Sequence, residues 1–211
     1  MSSEFMLIIL IAAFTGITHT LLGPDHYLPF IALAKSQSWS RKRTAWITCV
    51  CGLGHILSSV VIAYLALGLR FSLNLLEVID SYRSDFTAWA LIAFGLVYLI
   101  AGLKRIYRSN VQETVQPYNP MFWILFVIFV VGPCEPLFFL MTYPSLAGNL
   151  PAVLLLIGVF GATTIMTMLA AVFAASFGLG FLRGRQVMRF APAASGMIII
   201  FCGVGIKFLG L

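Results

Sequence analysis

Five ionisable side chains lie within long apolar segments of this sequence, where a charge is costly. They are the three histidines of the chain and two of its acids: His19, His26, His55, Asp25 and Glu135. An ionisable side chain at the centre of a bilayer costs about 2.5–3.5 kcal/mol on insertion scales, so such residues usually have a function. One such histidine alone is best explained as a buried ring bonded to a backbone carbonyl. All five together favour metal or proton handling, since imidazoles and carboxylates suit divalent nickel, cobalt and zinc.

The spacing around the first two histidines predicts that their rings point to the same side. His19 and His26 are seven residues apart, which is about 700° around an α-helix and returns to nearly the same face. Gly23 and Pro24 lie between them and interrupt the helix, because proline lacks a backbone N–H. Asp25 can therefore turn inward, either as a direct metal ligand or as a hydrogen-bond partner that orients an imidazole.

One of the four cysteines lies where it could take part in the same chemistry. Cys134 precedes Glu135 and follows Gly132-Pro133, a second Gly-Pro pair within an apolar segment. A thiolate at this position would favour zinc, copper or nickel. Cys49 and Cys51 are about 200° apart on a helix and are predicted to be packing residues. Together with Cys202, they show no extracellular disulfide framework.

The elements that must position these residues are membrane-spanning helices. The chain has 211 residues, of which 61% are hydrophobic and 9% charged, and its mean hydropathy is +1.01. Soluble domains are about a quarter charged, so this composition excludes a soluble enzyme, a disordered chain and a secreted disulfide-rich domain. The apolar residues suffice for about six spans. We predict an all-α polytopic membrane protein with six transmembrane helices, at about 5–34, 44–69, 86–103, 119–146, 151–181 and 190–209.

The basic residues alternate from loop to loop. Ten of the thirteen lie in three short stretches, 35–43, 104–108 and 183–189, after predicted spans one, three and five. Cytoplasmic loops are rich in Lys and Arg, so these stretches are predicted to face the cytoplasm, with both termini on the non-cytoplasmic side of a cell membrane. Arg70, Arg83 and Lys207 fall in the other loops and ends, and no basic residue is predicted deep within a span. Nucleic-acid binding is excluded, because it needs basic residues on one solvated face.

The two halves of the chain share motifs in the same order, which predicts an internal repeat. Gly23-Pro24-Asp25-His26 in span one corresponds to Gly132-Pro133-Cys134-Glu135 in span four. A copy of a three-span unit must run with inverted topology, and paired Gly/Pro breaks in inverted halves are typical of a midplane binding site in transporters. We predict one transmembrane domain over 1–211, with repeat 1 at about 5–103, a cytoplasmic linker at 104–118 and repeat 2 at about 119–211. Helices 1 and 4 are the broken ones.

Small residues recur at matching positions of the third and sixth spans. Gly95 and Gly102 have the same seven-residue spacing as Gly196 and Gly203, which places each pair on one helix face. Such glycines let helix backbones approach closely. They could pack helices within one subunit or between two copies, so a homodimer remains open.

Three motifs together resemble the UreH-type transmembrane domain family. They are the H-x5-D-H of residues 19–26, the G-x-G-H of 52–55 and the G-P-C-E-P of 132–136. That family is related to the nickel/cobalt transporters (NiCoT and NicO) and more distantly to the membrane domains of cytochrome c biogenesis and DsbD-type thiol transporters. The resemblance covers nearly the whole chain. It implies that His19, Asp25 and His26 form the metal-recognition motif of the first broken helix, and that His55 is the histidine of the next span. The five-residue gap is that of the UreH-like branch, whereas nickel/cobalt permeases have four.

These observations favour a secondary transporter of divalent transition-metal ions, nickel or cobalt first and zinc as an alternative, and not an enzyme. The expected metal-site residues are His19, Asp25, His26, His55, Cys134 and Glu135. The transported ion and the lipid bilayer are the expected partners, with no tightly bound cofactor. Coupling to protons is compatible with this set, because protons and metal compete for the same lone pairs.

Two other functions stay open at this point. The first is a thiol–disulfide electron conduit through Cys134, which would need a second cysteine, whereas the matching position of the first half is Asp25. The second is transport of another small solute or of protons alone, with the histidines as a relay.

Overall fold

The structure is a computed structural model that describes residues 3–68, 73–107, 120–141, 149–178 and 185–209. All secondary structure in these ranges is helical. The helices are α1 (Ser3–Leu22), a 3-10 turn (Pro24–His26), α2 (Leu28–Ser36), α3 (Arg41–Gly68), α4 (Leu73–Tyr107), α5 (Pro120–Val131), α6 (Glu135–Met141), α7 (Leu150–Gly178) and α8 (Arg185–Leu209). The predicted span ends at 69, 146 and 181, Arg70 and most of the predicted linker lie outside the described residues.

Five helices, α1, α3, α4, α7 and α8, are each long and apolar enough to cross a membrane. Helices α5 and α6 give a sixth such segment if they are taken together, with a bend of 41° between them. The exposed faces of the long helices carry large apolar side chains, such as Phe14 on α1, Leu57 on α3 and Phe201 on α8. Such faces suit contact with lipid. The described part of the chain is therefore all-helical, with five or six apolar helices of membrane-spanning length.

Two short interruptions, neither of them α-helical, separate α1 from α2 and α5 from α6. The first interruption comprises residues 23–27 and the second residues 132–134. Pro24 and Pro133 lie within them, and neither can donate a hydrogen bond to the carbonyl four residues earlier. Inside a membrane such freed carbonyls must find another partner in the protein.

Helix α4 begins at Leu73, well before the predicted start of span three at about residue 86. Two charged residues that were predicted in a loop, Asp80 and Arg83, are therefore helical, and only 2% and 8% of their surfaces are exposed. Arg83 is thus a buried basic residue within a helix of membrane-spanning length, where the sequence had predicted a loop. Burial of the two charges is tolerated because they pair with each other: the Arg83 guanidinium donates to Asp80 Oδ1 at 3.0 Å. Ionisable residues in such helices usually pair in this way.

The glycines of α4 and α8 pack these two helices against each other within the chain. A Cβ added at Gly95 would lie 2.8 Å from the carbonyl oxygen of Gly196, and one added at Gly203 would lie 2.6 Å from that of Ala88. Real Cβ atoms do not approach backbone so closely, so only glycine fits here. Of the two alternatives left by the sequence, these glycines serve packing within the subunit.

The other helices bring the segments that carry the histidines together. Helix α1 lies against α7, where a Cβ at Gly16 would be 2.9 Å from the Phe160 carbonyl oxygen, and α3 lies against α5, where Gly54 faces Phe126. The described core has two apolar clusters, one that includes Phe129 and one that includes Phe160. Histidine rings contact both of these phenylalanines, so the histidines lie between the two clusters.

Candidate metal centre

Three imidazole rings from three different elements meet in the interior. His19 lies in the last turn of α1, His26 ends the 3-10 turn and His55 lies in α3. The ring centroids of His19 and His26 are 4.6 Å apart, those of His26 and His55 5.2 Å, and those of His19 and His55 6.4 Å. The Nε2 atoms of all three are buried and have no hydrogen-bond partner among the described residues. Three buried imidazole nitrogens without hydrogen bonds are thus gathered in one part of the interior.

The thiol of Cys134 lies close to two of these histidines, His19 and His55. One ligand atom each from His19, His55 and Cys134 lies within 4.8 Å of the others, and Cys134 is completely buried. Ligands of a tetrahedral metal ion at about 2.0–2.3 Å are about 3.3–3.6 Å apart, so these side chains need to close by roughly 1 Å to bind one ion. His26 is not among these close ligand atoms, but its ring packs edge-on against both of the other rings. We term the four residues the His/Cys site.

Asp25 orients His26. The Nδ1 atom of His26 lies 3.3 Å from Asp25 Oδ1 and 3.2 Å from the carbonyl oxygen of Gly23. A carbonyl oxygen can only accept, so Nδ1 carries a proton, and in the neutral ring Nε2 keeps its free lone pair. Of the two roles that the sequence left open for Asp25, the geometry shows that of a partner that orients an imidazole.

His55 has the same tautomer for a reason that lies in the other half of the chain. Its Nδ1 donates to the carbonyl oxygen of Phe129 at 3.1 Å. In a continuous helix that carbonyl would bond to the N–H of residue 133, but Pro133 has none. The second interruption therefore frees the acceptor that holds His55 with its Nε2 lone pair unprotonated.

Glu135 does not join the histidines. It is exposed at the start of α6 and lines a cavity of about 330 Å³ together with Glu77, Asp80 and Asp85. We call this the acidic cavity. The neighbouring Cys134 is fully buried in the apolar interior, so two adjacent residues of one motif face different surroundings.

Arg83 is a residue at this site that the sequence analysis missed. Its Nε donates to the carbonyl oxygen of Val131 at 3.0 Å, and one of its terminal nitrogens donates to that of Gly132 at 2.7 Å. Since Pro136 offers no N–H four residues later, the Gly132 carbonyl is free to accept. The signal in the sequence was helical periodicity, because Leu76, Asp80, Arg83 and Thr87 recur on one face and all are buried.

The four cysteines are free thiols in this structure. Cys51 and Cys202 belong to the apolar cluster of Phe129, whereas Cys134 belongs to the cluster of Phe160. Cys49 is only partly buried. The predicted packing role of Cys51 agrees with its position in the core.

The His/Cys site can act as a soft donor set for a metal ion. Its close ligand atoms are two histidine nitrogens and one sulfur. Such ligands suit zinc, nickel or cobalt, whereas calcium and magnesium require oxygen ligands. Comparisons of the chain with protein-family models, with curated proteins and with solved structures give no match.

Proposed function

We propose that this chain is a polytopic membrane transporter that carries a divalent transition-metal ion through the His/Cys site. The observation that carries the proposal is the set of three buried Nε2 atoms without hydrogen-bond partners among the described residues. A buried polar atom without a partner costs about 1–3 kcal/mol. A cation held by His19, His55 and Cys134 would satisfy two of these nitrogens at once, and the ring of His26 packs directly against both of those histidines.

The donor set also limits the substrate. Nickel and cobalt come first because of the resemblance to the UreH-type family, in which we place the chain as part of this proposal. Zinc fits three nitrogens and one sulfur equally well, since it takes tetrahedral sites of imidazole and thiolate. Asp25 contributes negative charge at the His26 ring, with 21% of its side chain exposed.

The arrangement of helices supports a transporter over a static metal store. We propose that α1 with α2, and α5 with α6, are the two broken spans of an inverted repeat of three plus three spans. Both termini would then lie on the non-cytoplasmic side of the membrane, and the site would lie where the broken spans meet. Movement of one half against the other would expose the site to each side in turn.

The test is metal binding and transport by the purified protein. Nickel, cobalt and zinc affinities are measured in detergent by calorimetry, and flux is measured in proteoliposomes that contain a metal-sensitive dye. We expect His19→Ala, His55→Ala and Cys134→Ser to weaken both. Cys49→Ser, which changes a partly buried cysteine outside the site, is the matched control and should behave like the wild type. Wild-type affinity and flux in all three site variants would refute the proposal.

The same liposomes separate the two alternatives. Proton flux without any bound or transported metal would favour a histidine proton relay. A thiol–disulfide conduit has less support, because Cys51 and Cys202 lie in a different apolar cluster from Cys134. It would require a disulfide that forms with Cys134 during turnover.

A further inference from the structure

We infer that Arg83 is a positioning residue for the His/Cys site. Its guanidinium holds the second interruption in the shape that turns Cys134 toward His19 and His55. This inference rests on the proposed function, because it concerns how a metal ligand is held.

The first argument is where the freed backbone groups of the interruption go. The last carbonyls of a helix lack partners within it, and α5 ends at Val131. Arg83 bonds to the carbonyls of Val131 and Gly132, at 3.0 Å and 2.7 Å. Cys134 is only two residues further along the chain. The direction of the backbone that leads into Cys134 is therefore set at these two hydrogen bonds.

The second argument is that Arg83 ties the interruption to the helix that carries His55. The guanidinium also reaches the hydroxyl oxygens of Ser58 and Ser59 at 3.3 Å, and the Ser58 hydroxyl donates to the His55 carbonyl at 2.9 Å. One cation thus spans α3, α4 and the interruption. The guanidinium is a rigid planar fork with five donors, so it fixes the relative positions of its acceptors in a way that a single ammonium cannot.

The third argument is that the guanidinium is itself fixed. Asp80 Oδ1 accepts from it at 3.0 Å, and both side chains are almost completely buried. A buried charge that is paired in this way is costly to remove and does not move freely. Arg83 therefore has a fixed position, and its hydrogen bonds to Val131 and Gly132 fix the backbone that precedes Cys134.

The experiment compares cobalt binding to the wild type, Arg83→Gln, Cys134→Ser and the double variant. Cobalt(II) reports a sulfur ligand directly, because a thiolate-to-cobalt charge-transfer band appears when a cysteine binds the metal. Since the chain has four free cysteines, loss of the band in Cys134→Ser assigns it to Cys134. We expect Arg83→Gln to lose most of this band and to bind cobalt about tenfold more weakly, as for loss of an outer partner of a ligand. In the Cys134→Ser background the same change should have no further effect, since the thiol it positions is already absent.

Arg189→Gln is the matched control. Arg189 also donates to a backbone carbonyl, that of Ile106 at 2.6 Å, but it is exposed and on α8. This variant should keep both the band and the affinity. If Arg83→Gln elutes as an aggregate, Arg83→Lys replaces it: the charge is kept but the fork is lost, so we expect a weakened band.

The outcomes separate the two levels of the proposal. A wild type that binds no cobalt, nickel or zinc contradicts the proposed function itself. A wild type that shows the band, with an unchanged band and affinity in Arg83→Gln, overturns the inference about Arg83 and leaves the function standing. The inference is also overturned if Arg83→Gln weakens cobalt binding equally in the wild type and in Cys134→Ser, because the effect of Arg83 would then not depend on the thiol.

Discussion

Replacing Asp25 by alanine tests how the His/Cys site holds its ligands. In the structure, His26 Nδ1 has two acceptors, Asp25 Oδ1 at 3.3 Å and the Gly23 carbonyl at 3.2 Å. The variant removes the first and keeps the second. The proton therefore stays on Nδ1, and Nε2 remains a metal donor, but the ring loses one restraint and the negative charge that makes it a better base.

The magnitude follows from that remaining bond. Loss of the outer partner of a metal-ligating histidine weakens metal binding by about 10–100-fold. Because Gly23 still holds the ring, and because 21% of the Asp25 side chain is exposed, we expect the lower end of this range. A tenfold loss corresponds to about 1.4 kcal/mol. His26→Ala removes the ligand itself and should lose considerably more.

The assay is calorimetric titration of the purified protein with nickel and with zinc, and Asp85→Ala is the matched control. Asp85 is an aspartate of α4 whose carboxylate pairs with Lys207 at 2.7 Å, so this control removes the same negative charge at a different place. It lines the acidic cavity and has no contact with the histidine rings among the interactions of the described residues. We expect its equilibrium affinity for metal to equal that of the wild type.

Two results would refute this reasoning. If Asp25→Ala binds metal as tightly as Asp85→Ala, the hydrogen bond to His26 contributes nothing to the site. If Asp25→Ala loses as much affinity as His26→Ala, Asp25 is itself a ligand, and the orientation seen in the structure is not the one that binds metal.

Three further predictions concern packing, protons and the second interruption. Gly196→Ala forces a Cβ into the backbone of α4 and should destabilise the protein by at least about 1–3 kcal/mol, measured as a drop in Tm, whereas Gly158→Ala, where nothing lies within 4 Å, should not. Cys134→Ser should release about one proton fewer per bound metal than the wild type, measured by calorimetry in two buffers, because a thiol must lose its proton to bind; equal release would mean that the thiol is not a ligand. Pro133→Ala restores a backbone N–H that competes with His55 for the carbonyl of Phe129, so the affinity for nickel should fall. Pro192→Ala, at the proline inside α8, should leave this affinity unchanged.

Much of the histidine arrangement could be predicted from local spacing. A seven-residue separation and a Gly-Pro pair are properties of a single segment, and they brought His19 and His26 to the same side. His55 was predicted within a span from its apolar surroundings, but the bond from its Nδ1 to Phe129 could not be predicted. That bond depends on α3 packing against α5, which is a long-range contact.

Arg83 and Glu135 show why the rest could not be predicted. A hydropathy window treats every charge as a sign that a span has ended, so Arg83 was placed in a loop. Its burial depends on carbonyls that a different helix leaves free, about fifty residues later in the chain. Glu135 was grouped with Cys134 because the two are adjacent, but residues next to each other at the start of a helix face directions about 100° apart.

The carbonyl of Phe129 has a consequence for how the site comes into being. All three histidines precede residue 108, but the acceptor for His55 and the thiol of Cys134 come from beyond residue 119. The first half of the chain, expressed alone, would hold every imidazole and still lack the bond that sets the His55 tautomer. Two separately expressed halves should therefore bind metal tightly only when they are made together, so that metal binding reports their assembly.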